Sequence, residues 1–389
     1  MNIEQFHQMF NDKHFYDFKK MQYKYPNDIN EFVKALKEYY YTPLFVTDFN
    51  GNKIVYIKNK TNLKAEALKL LLPCQNKAYG ESAVAEEIIS TAKIENIDYS
   101  RESVRNILKG YTPADDEEDR ILGMKKGFEF IADKKNIINE QNIYTLYMTA
   151  VGRFLDENDR LNAGRFYRHD DVHIQDLNGK ISHFGVKAEK IPGLMSDLLK
   201  FINEKSEIGD LEKAAVIHFY IAYIHPYFDG NGRMARLLHI WYLVQKGYGN
   251  TLFIPFSGYI MKSRKKYYEA YTLIEENEKI SGVTDVTPFI AYFEENVYNK
   301  FEETEIKTDV FNKFKNELQN GNITEKEEKL WYFIISEYGT GEFSTKQIEK
   351  DFCNVAYATV RSFVLKFEKF GLLTSQHYKN RVKYKINNA

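Results

Sequence analysis

The spacing of apolar residues along the chain predicts a mainly helical protein. Apolar side chains recur at intervals of three and four residues, which places them on one face of a helix. This period is found in residues 142–154, 193–202, 211–224 and 233–246. Residues 169–191 interrupt it, because a turn-forming sequence at residues 176–180 lies between two short extended segments. We predict a small β-hairpin there, set into a helical domain.

The two ends of the chain carry other patterns. Residues 45–47 and 53–57 flank Asn50-Gly51-Asn52, and Asn and Gly tolerate the positive φ of a tight hairpin turn. After residue 322, three predicted helices and two predicted strands follow in the order of a winged helix: residues 325–336, 344–352, 356–370, 372–374 and 382–386.

We therefore predict a mainly α fold in three parts: a mixed α/β region at residues 1–75, a helical domain at residues 76–305 and a winged-helix domain at residues 323–389. The composition agrees, since a chain of 389 residues with 43% hydrophobic and 28% charged residues is long and apolar enough for several globular units. The net charge of −1 implies no general attraction to nucleic acid or membranes.

Cysteine content and the apolar stretches bear on the compartment. The two cysteines, Cys74 and Cys353, cannot form a disulfide framework or a zinc cluster. The N-terminus lacks the pattern of a secretory signal, and the longest apolar stretch, residues 216–228, is too short to cross a bilayer. We expect a cytoplasmic protein that does not enter a membrane.

Residues 225–236, between two apolar helices, hold the strongest chemical signal. The Gly230-Asn231-Gly232 turn leads into a helix, and the unpaired N–H groups of a helix start form a ready anion site. Arg233 and Arg236 follow on one side of that helix. Two arginines beside such amides favour a polyphosphate ligand.

Two further residues complete a site for displacement at phosphorus. Asp229 supplies a hard oxygen beside the phosphates, where Mg²⁺ is needed. His225, at the end of the preceding helix, can act as a general base near neutral pH. Base, metal ligand, amide cradle and arginine pair therefore lie within one loop.

These residues resemble the signature of the Fic family: His-Pro-Phe, any residue, an acid, Gly-Asn-Gly, Arg, two residues and Arg. Tyr227 replaces the usual Phe, and every other position of residues 225–236 matches. Residues 164–168 and 257–268 also resemble flanking segments of the family. The resemblance extends from about residue 80 to about residue 290.

The resemblance implies a protein adenylyltransferase, which moves AMP from ATP to a Tyr, Thr or Ser hydroxyl of a protein. His225 would then deprotonate the hydroxyl, and Asp229 would hold Mg²⁺ between the α- and β-phosphates. The glycine-rich turn would cradle the phosphates, while Arg233 and Arg236 would bind the outer ones and stabilise pyrophosphate. Gly232 favours AMP transfer, because the kinase-like relatives carry Lys there.

A second motif lies upstream, on a predicted helix around residues 82–97. Thr91 and Glu95 fall on one face of this helix, and with Asn96 they match the inhibitory pattern of the family: Ser or Thr, three residues, Glu, then Gly or Asn. The resemblance implies that Glu95 pairs with Arg236 and occupies the position of the γ-phosphate. We predict an enzyme with a built-in inhibitor.

The resemblance also implies partners. A hairpin flap beside the site docks the main chain of the target protein by strand addition, and here the flap falls within residues 182–191. Relatives with this layout often self-associate, so a homodimer is a further expectation.

Two alternative functions stay open at this stage. Glu95 could orient a water molecule that removes AMP from a modified protein. The winged helix could instead bind DNA or a protein partner, since from residue 354 onward one acid, Glu368, faces a set of basic residues: Arg361, Lys366, Lys369, Lys379, Arg381, Lys383 and Lys385.

Overall fold

Helices dominate the structure, which confirms the predicted fold class. The computed structural model describes residues 1–58, 60, 81–175, 181–248, 251–252, 254–300, 308–338, 341–352, 355–378 and 381–387. The predicted boundaries at residues 75 and 305, the turn at residues 176–180, both cysteines and Lys379 lie outside these residues.

The elements follow one another along the chain with few strands among many helices. The helices are α1 (Ile3–Phe10), α2 (Phe18–Lys24), α3 (Ile29–Tyr39), α4 (Glu81–Ile94), α5 (Arg101–Leu108), α6 (Asp116–Ala132), α7 (Glu140–Ala150), α8 (Ile191–Asn203), α9 (Asp210–Ile224), α10 (Asn231–Gln245), α11 (Phe256–Lys262), α12 (Arg264–Ser281), α13 (Thr287–Asn296), α14 (Thr308–Gln319), α15 (Glu325–Tyr338), α16 (Thr345–Phe352) and α17 (Tyr357–Lys369). The strands are β1 (Tyr41–Thr47), β2 (Lys53–Ile57), β3 (His173–Gln175), β4 (Ile181–Phe184), β5 (Leu373–Tyr378) and β6 (Arg381–Ile386), and consecutive strands pair as antiparallel hairpins.

Helices α9 and α10 form the centre of the main hydrophobic core. Both are buried on all sides, and α10 is buried at every position from Arg233 to Val244. A helix that is apolar all round needs a complete shell of neighbours, and α7, α8, α11 and α13 supply side chains to this shell. The loop between α9 and α10 is thereby held on a rigid support.

The N-terminal region is fixed to the helical domain through buried polar contacts. Asn277 of α12 is 1% exposed; its side chain accepts from the Phe18 N–H at 2.8 Å and donates to the Tyr16 carbonyl at 3.0 Å. Strand β2 also bonds to the segment that follows α12, since the N–H of Val55 donates to the Thr284 carbonyl at 3.0 Å. The predicted hairpin around Asn50 is confirmed as β1 and β2.

The C-terminal helices and strands enclose a separate core. It includes Trp331, Phe363 and Phe367, and also Val310 and Phe314 from α14, which precedes the predicted boundary at residue 323. The order of three helices and a hairpin after residue 323 is the predicted one; its assignment as a winged helix stays a prediction. Helix α15 contacts α4 of the helical domain.

Two of the basic residues that suggested DNA binding are paired with acids in the structure. Lys366 lies 2.8 Å from Glu327, and Lys383 lies 3.2 Å from Glu342. The positive charge available for phosphate contacts is correspondingly smaller than the sequence indicates.

None of the helices in the described part of the chain combines the length and apolar composition of a membrane span.

Candidate active site

The loop between α9 and α10 is shaped by its own backbone and side chains. His225 ends α9 in the left-handed conformation with φ of 55°, and Gly230 begins α10 with φ of 82°. The amide of Asn231 closes the loop, since it accepts from the Tyr227 N–H at 3.0 Å and donates to the Tyr227 carbonyl at 2.9 Å. A Cβ at position 230 would overlap Val151, so glycine is required there.

Tyr227 anchors the loop in the core. Its ring stacks on Tyr147 with 3.7 Å between centroids and an interplanar angle of 5°. Its buried hydroxyl has no hydrogen-bond partner among the described residues. The ring thus serves the packing role of the Phe in the signature, while the extra hydroxyl gains nothing from the protein.

His225 is held as a neutral imidazole with one nitrogen available. Its Nδ1 lies 3.3 Å from the Ala222 carbonyl, and this contact favours the tautomer with the proton on Nδ1 and the lone pair on Nε2. Burial lowers the pKa of His225 to about 4, and the charge of Arg168 acts in the same direction. The imidazole can therefore accept a proton at neutral pH.

Two arginines project from the start of α10, and both are buried. Arg233 pairs with Asp229 at 3.0 Å. The side chain of Arg236 is 2% exposed, and one of its terminal nitrogens, Nη1, has no partner among the described residues. A buried guanidinium next to unpaired helix amides is suited to an anion that brings several oxygens.

Asp229 fits a Mg²⁺ ion that arrives with a nucleotide. No cluster of three metal-binding side chains occurs in the described residues, so the protein alone offers no cage. The Asp229 side chain is 56% exposed, and Mg²⁺ is commonly bound by one or two carboxylates together with substrate phosphates and water. One carboxylate beside the anion site matches that donor set.

Helix α4 ends in a rigid turn that presents Glu95 to this site. The N–H of Ile97 donates to the Ala92 carbonyl at 2.9 Å and the N–H of Asn96 to the Lys93 carbonyl at 3.1 Å, the two bonds of a Schellman cap. Asn96 has φ of 61°, a conformation that only Gly and, less readily, Asn adopt at low cost. The predicted motif therefore has Gly or Asn at this position because the turn requires a positive φ there.

Thr91 and Glu95 both bind Arg236. Nη2 of Arg236 donates to Glu95 Oε1 at 2.6 Å, and Nε donates to Thr91 Oγ1 at 2.6 Å. Burial opposes the charge of Arg236, but the Glu95 carboxylate together with Tyr267 and Tyr268 outweighs it, and the pKa of Arg236 is raised above its ordinary value. A Cβ at Gly232 would overlap the Glu95 carboxylate. The absence of a side chain at position 232 therefore leaves the space in which Glu95 reaches Arg236.

The family comparison agrees with this geometry. Residues 137–243 match the model of the Fic/DOC family, a segment that runs from α7 to α10 and includes the whole loop. The chain contains a Fic domain.

Curated relatives share part of the chain. The protein adenylyltransferase Fic of Drosophila ananassae is 27% identical over 221 residues, which are 54% of this chain and 40% of the relative. The protein adenylyltransferase fic-1 of Caenorhabditis elegans is 25% identical over 183 residues, 45% of this chain and 31% of the relative. The chain thus matches two fifths or less of the length of these relatives.

Two solved structures of Fic proteins were found to be similar at low TM-scores. A Fic family protein from Desulfovibrio desulfuricans G20 has a TM-score of 0.49 at 17% identity, covering 85% of this chain and 99% of that one. A Fic domain containing signaling protein from Bacteroides thetaiotaomicron VPI-5482 has a TM-score of 0.44 at 21% identity, covering 62% of this chain and 89% of that one.

The hairpin of the Fic domain lies slightly earlier than the predicted flap. Its strands β3 and β4 pair His173 with Phe184 and Ile174 with His183. Within residues 182–191, only the first three belong to a strand; the rest lead through a short 3-10 turn at Ala188–Lys190 into α8. The docking of a target on this hairpin stays a prediction.

Two arginines near the loop have roles that the sequence does not reveal. Arg264 donates to the Ile94 carbonyl and, at 2.9 Å, to Asn96 Oδ1, and so holds the turn that carries Glu95. Arg168 donates to the carbonyl of His225 at 2.7 Å. Both residues lie in segments that resemble the family, but a bond to a main-chain carbonyl leaves no trace in the partner's residue type.

Proposed function

We propose that the chain is a protein adenylyltransferase of the Fic type, which transfers AMP from ATP to a Tyr, Thr or Ser hydroxyl. The observation that carries this proposal is the loop itself: a neutral His225 with Nε2 available lies in the same short loop as the start of α10, where Gly232 and Arg236 frame an anion site. The adenylyltransferase relatives support the choice of reaction.

In the proposed step the target hydroxyl oxygen attacks the α-phosphorus of ATP. The bond between the α-phosphorus and the oxygen bridging to the β-phosphate breaks, and pyrophosphate leaves with that electron pair. Nε2 of His225 accepts the hydroxyl proton. The two products are free pyrophosphate and a protein that carries AMP through a phosphodiester bond.

The remaining residues stabilise charge. The amides at the start of α10 and the guanidinium groups of Arg233 and Arg236 would face the phosphate oxygens, where preorganised donors lower the barrier most effectively. Asp229 would hold Mg²⁺, which would neutralise negative charge on the phosphates. Asp229 and Arg233 already contact each other, so both are oriented before the nucleotide binds.

We further propose that Glu95 keeps the resting enzyme weakly active. Its carboxylate binds the guanidinium of Arg236 at 2.6 Å, and the outer phosphates of ATP need the same group. A carboxylate in that position also repels the polyphosphate. Activation therefore requires that Glu95 release Arg236.

Intact-mass analysis after incubation with ATP and Mg²⁺ tests this function. The Glu95→Gly variant is expected to gain the mass of AMP on one or more hydroxyl residues, and the wild type much less. Glu95→Gly combined with His225→Ala is expected to gain none. The combination with His169→Ala, a partly exposed histidine near the loop that contacts the ring of Phe228, is the matched control and should be modified. A gain that persists without His225 would contradict the proposal.

Removal of AMP is the second candidate function, and it rests on Glu95. The Glu95 side chain is 32% exposed, so part of its carboxylate can meet water at the active site. This function predicts that the wild type releases AMP from a modified protein and that Glu95→Gln does not. Equal release by the two proteins would exclude it.

A further inference from the structure

Arg168 is a buried cation at the base of the hairpin. It lies between α7 and β3 and is 2% exposed. Its guanidinium donates to three main-chain carbonyls: Nε to His225 at 2.7 Å, Nη1 to Asp170 at 2.6 Å, and Nη2 to Val186. Its own N–H donates to the Pro226 carbonyl at 2.9 Å. One side chain thus joins the catalytic loop to the chain on both sides of the hairpin.

The hairpin is closed where Arg168 binds it. The N–H of Gly185 donates to the Val172 carbonyl at 3.0 Å, directly beyond the ends of β3 and β4. A Cβ at Gly185 would lie 2.8 Å from the Val172 side chain and 3.1 Å from Nη2 of Arg168. Glycine at this position allows the guanidinium to reach the Val186 carbonyl.

The charge of Arg168 is not explained by an ion pair. Among the described residues no carboxylate forms a salt bridge with it; Asp171 acts only at longer range, and burial lowers the pKa of Arg168. A buried cation without a paired anion is costly, and a neutral side chain could not satisfy three carbonyls at once. Its three hydrogen bonds to carbonyls of separate segments therefore indicate a role in holding those segments together.

His225 depends on support of this kind. Its φ of 55° is a conformation that is costly for a non-glycine residue and persists only where the surroundings enforce it. The carbonyl of His225 accepts a hydrogen bond from Nε of Arg168, and the carbonyl of Pro226 accepts one from the main-chain N–H of Arg168. These two bonds fix the peptide that orients the imidazole.

We infer that Arg168 is a positioning residue that holds the catalytic base, His225, in register with the hairpin on which a target main chain would dock. This inference rests on the proposed function. The effect of Arg168 on His225 can nevertheless be tested separately, because the orientation and charge state of His225 can be measured without turnover.

The kinetic test uses Arg168→Gln and Arg168→Lys in the Glu95→Gly background, with Arg165→Gln as the matched control. Arg165 lies on the same segment and is exposed. Loss of alignment is expected to lower kcat about 100-fold in Arg168→Gln, with KM for ATP unchanged, because Arg168 does not contact the residues of the anion site. Arg168→Lys keeps the charge but donates from a single point, so its kcat is also expected to fall.

The second readout is the pKa of His225, followed by NMR of histidine-labelled protein and assigned by the signal lost in His225→Ala. The positive charge of Arg168 lowers this pKa, so Arg168→Gln should raise it, and Arg168→Lys and Arg165→Gln should leave it near the parent value. The acid limb of the rate profile should move to higher pH in Arg168→Gln alone. A side chain that only packs would not separate the two Arg168 variants in this way.

The outcomes separate this inference from the proposed function. A folded Arg168→Gln protein with the kcat and His225 pKa of the control overturns the inference. If Arg168→Gln does not fold, an unchanged kcat in Arg168→Lys overturns it. If the Glu95→Gly parent itself transfers no AMP, the proposed function fails, and the NMR titration still decides whether Arg168 controls His225.

Discussion

Removing the charge of Glu95 is expected to raise the affinity of the protein for ATP. In the structure Glu95 binds Arg236 at 2.6 Å, and under the proposed function ATP must displace it. A hydrogen bond to a charged group contributes about 1.5–3 kcal/mol. Because the Glu95 side chain is 32% exposed, solvent screens the pair, and we take the lower part of this range, about 2 kcal/mol. The dissociation constant for ATP–Mg should therefore fall about 30-fold.

Glu95→Gln is the appropriate change, because it removes the charge and keeps the volume. Isothermal titration calorimetry in the His225→Ala background measures binding without turnover. Glu86→Gln is the matched control: Glu86 lies on the same helix but pairs with Arg101 at 3.0 Å. The control should bind ATP as the parent does.

The same substitution should lower stability in the absence of ATP. Arg236 would then be a buried cation without its carboxylate partner, and breaking such a pair is destabilising. The melting temperature of Glu95→Gln should fall without ligand, and ATP should restore more of it than in the parent. Equal ATP affinity in Glu95→Gln and Glu86→Gln would refute the competition between Glu95 and the nucleotide.

Three other predictions concern stability. Tyr227→Phe should raise the free energy of unfolding by about 1 kcal/mol, since it removes a buried hydroxyl without a protein partner; a lower midpoint in urea would contradict this. Gly232→Ala should destabilise the parent but cost less in Glu95→Gly, because the added Cβ would meet the Glu95 carboxylate; equal losses in both backgrounds on thermal unfolding would argue against this contact. Burial lowers the pKa of His239 to about 3 and that of His218 well below its ordinary value, so the unfolded chain binds protons that the folded one does not. The contribution of each histidine to stability should thus fall as pH drops below about 6.5, by about 1.4 kcal/mol per pH unit. Burial raises the pKa of Glu87 to about 7 and that of Asp285 to about 6, and these carboxyls act in the opposite direction, so the test is the difference in urea midpoint between the parent and His239→Gln. The advantage of the parent should shrink from pH 7 to pH 5, and a constant difference would be inconsistent with this.

The catalytic loop could be predicted from sequence because its chemistry is local. His225, Asp229 and the arginines lie within residues 225–236, and the turn between two apolar helices requires the glycines at fixed positions. The helical periods gave α9 and α10 to within two residues at each end, since both helices are buried and end at the loop.

The contact between Glu95 and Arg236 could be predicted only through the family resemblance. The two residues are 141 positions apart, and the helix period places Thr91 and Glu95 on one face without saying what that face meets. The Schellman turn explains why Asn96 belongs to the motif, but its geometry becomes visible only in the structure.

Other features had weaker sequence signals or none. Arg168 and Arg264 bind main-chain carbonyls, which every residue type carries. Glu87 is buried, accepts from the N–H and hydroxyl of Ser257, and has its pKa raised to about 7 by burial; in sequence it resembles a surface glutamate. Helix α14 was not predicted, although Val310 and Phe314 lie four residues apart on its buried face.

Under the proposed function, His225 directs AMP, and not the γ-phosphate, from ATP to a protein hydroxyl. The most direct measurement is label transfer from ATP–Mg labelled at the α- or the γ-phosphate, with wild type, Glu95→Gly, and Glu95→Gly combined with His225→Ala. We expect protein-bound α-label, strongest in Glu95→Gly and absent without His225, and no γ-label. Transfer of γ-label, or α-label that persists without His225, would contradict it.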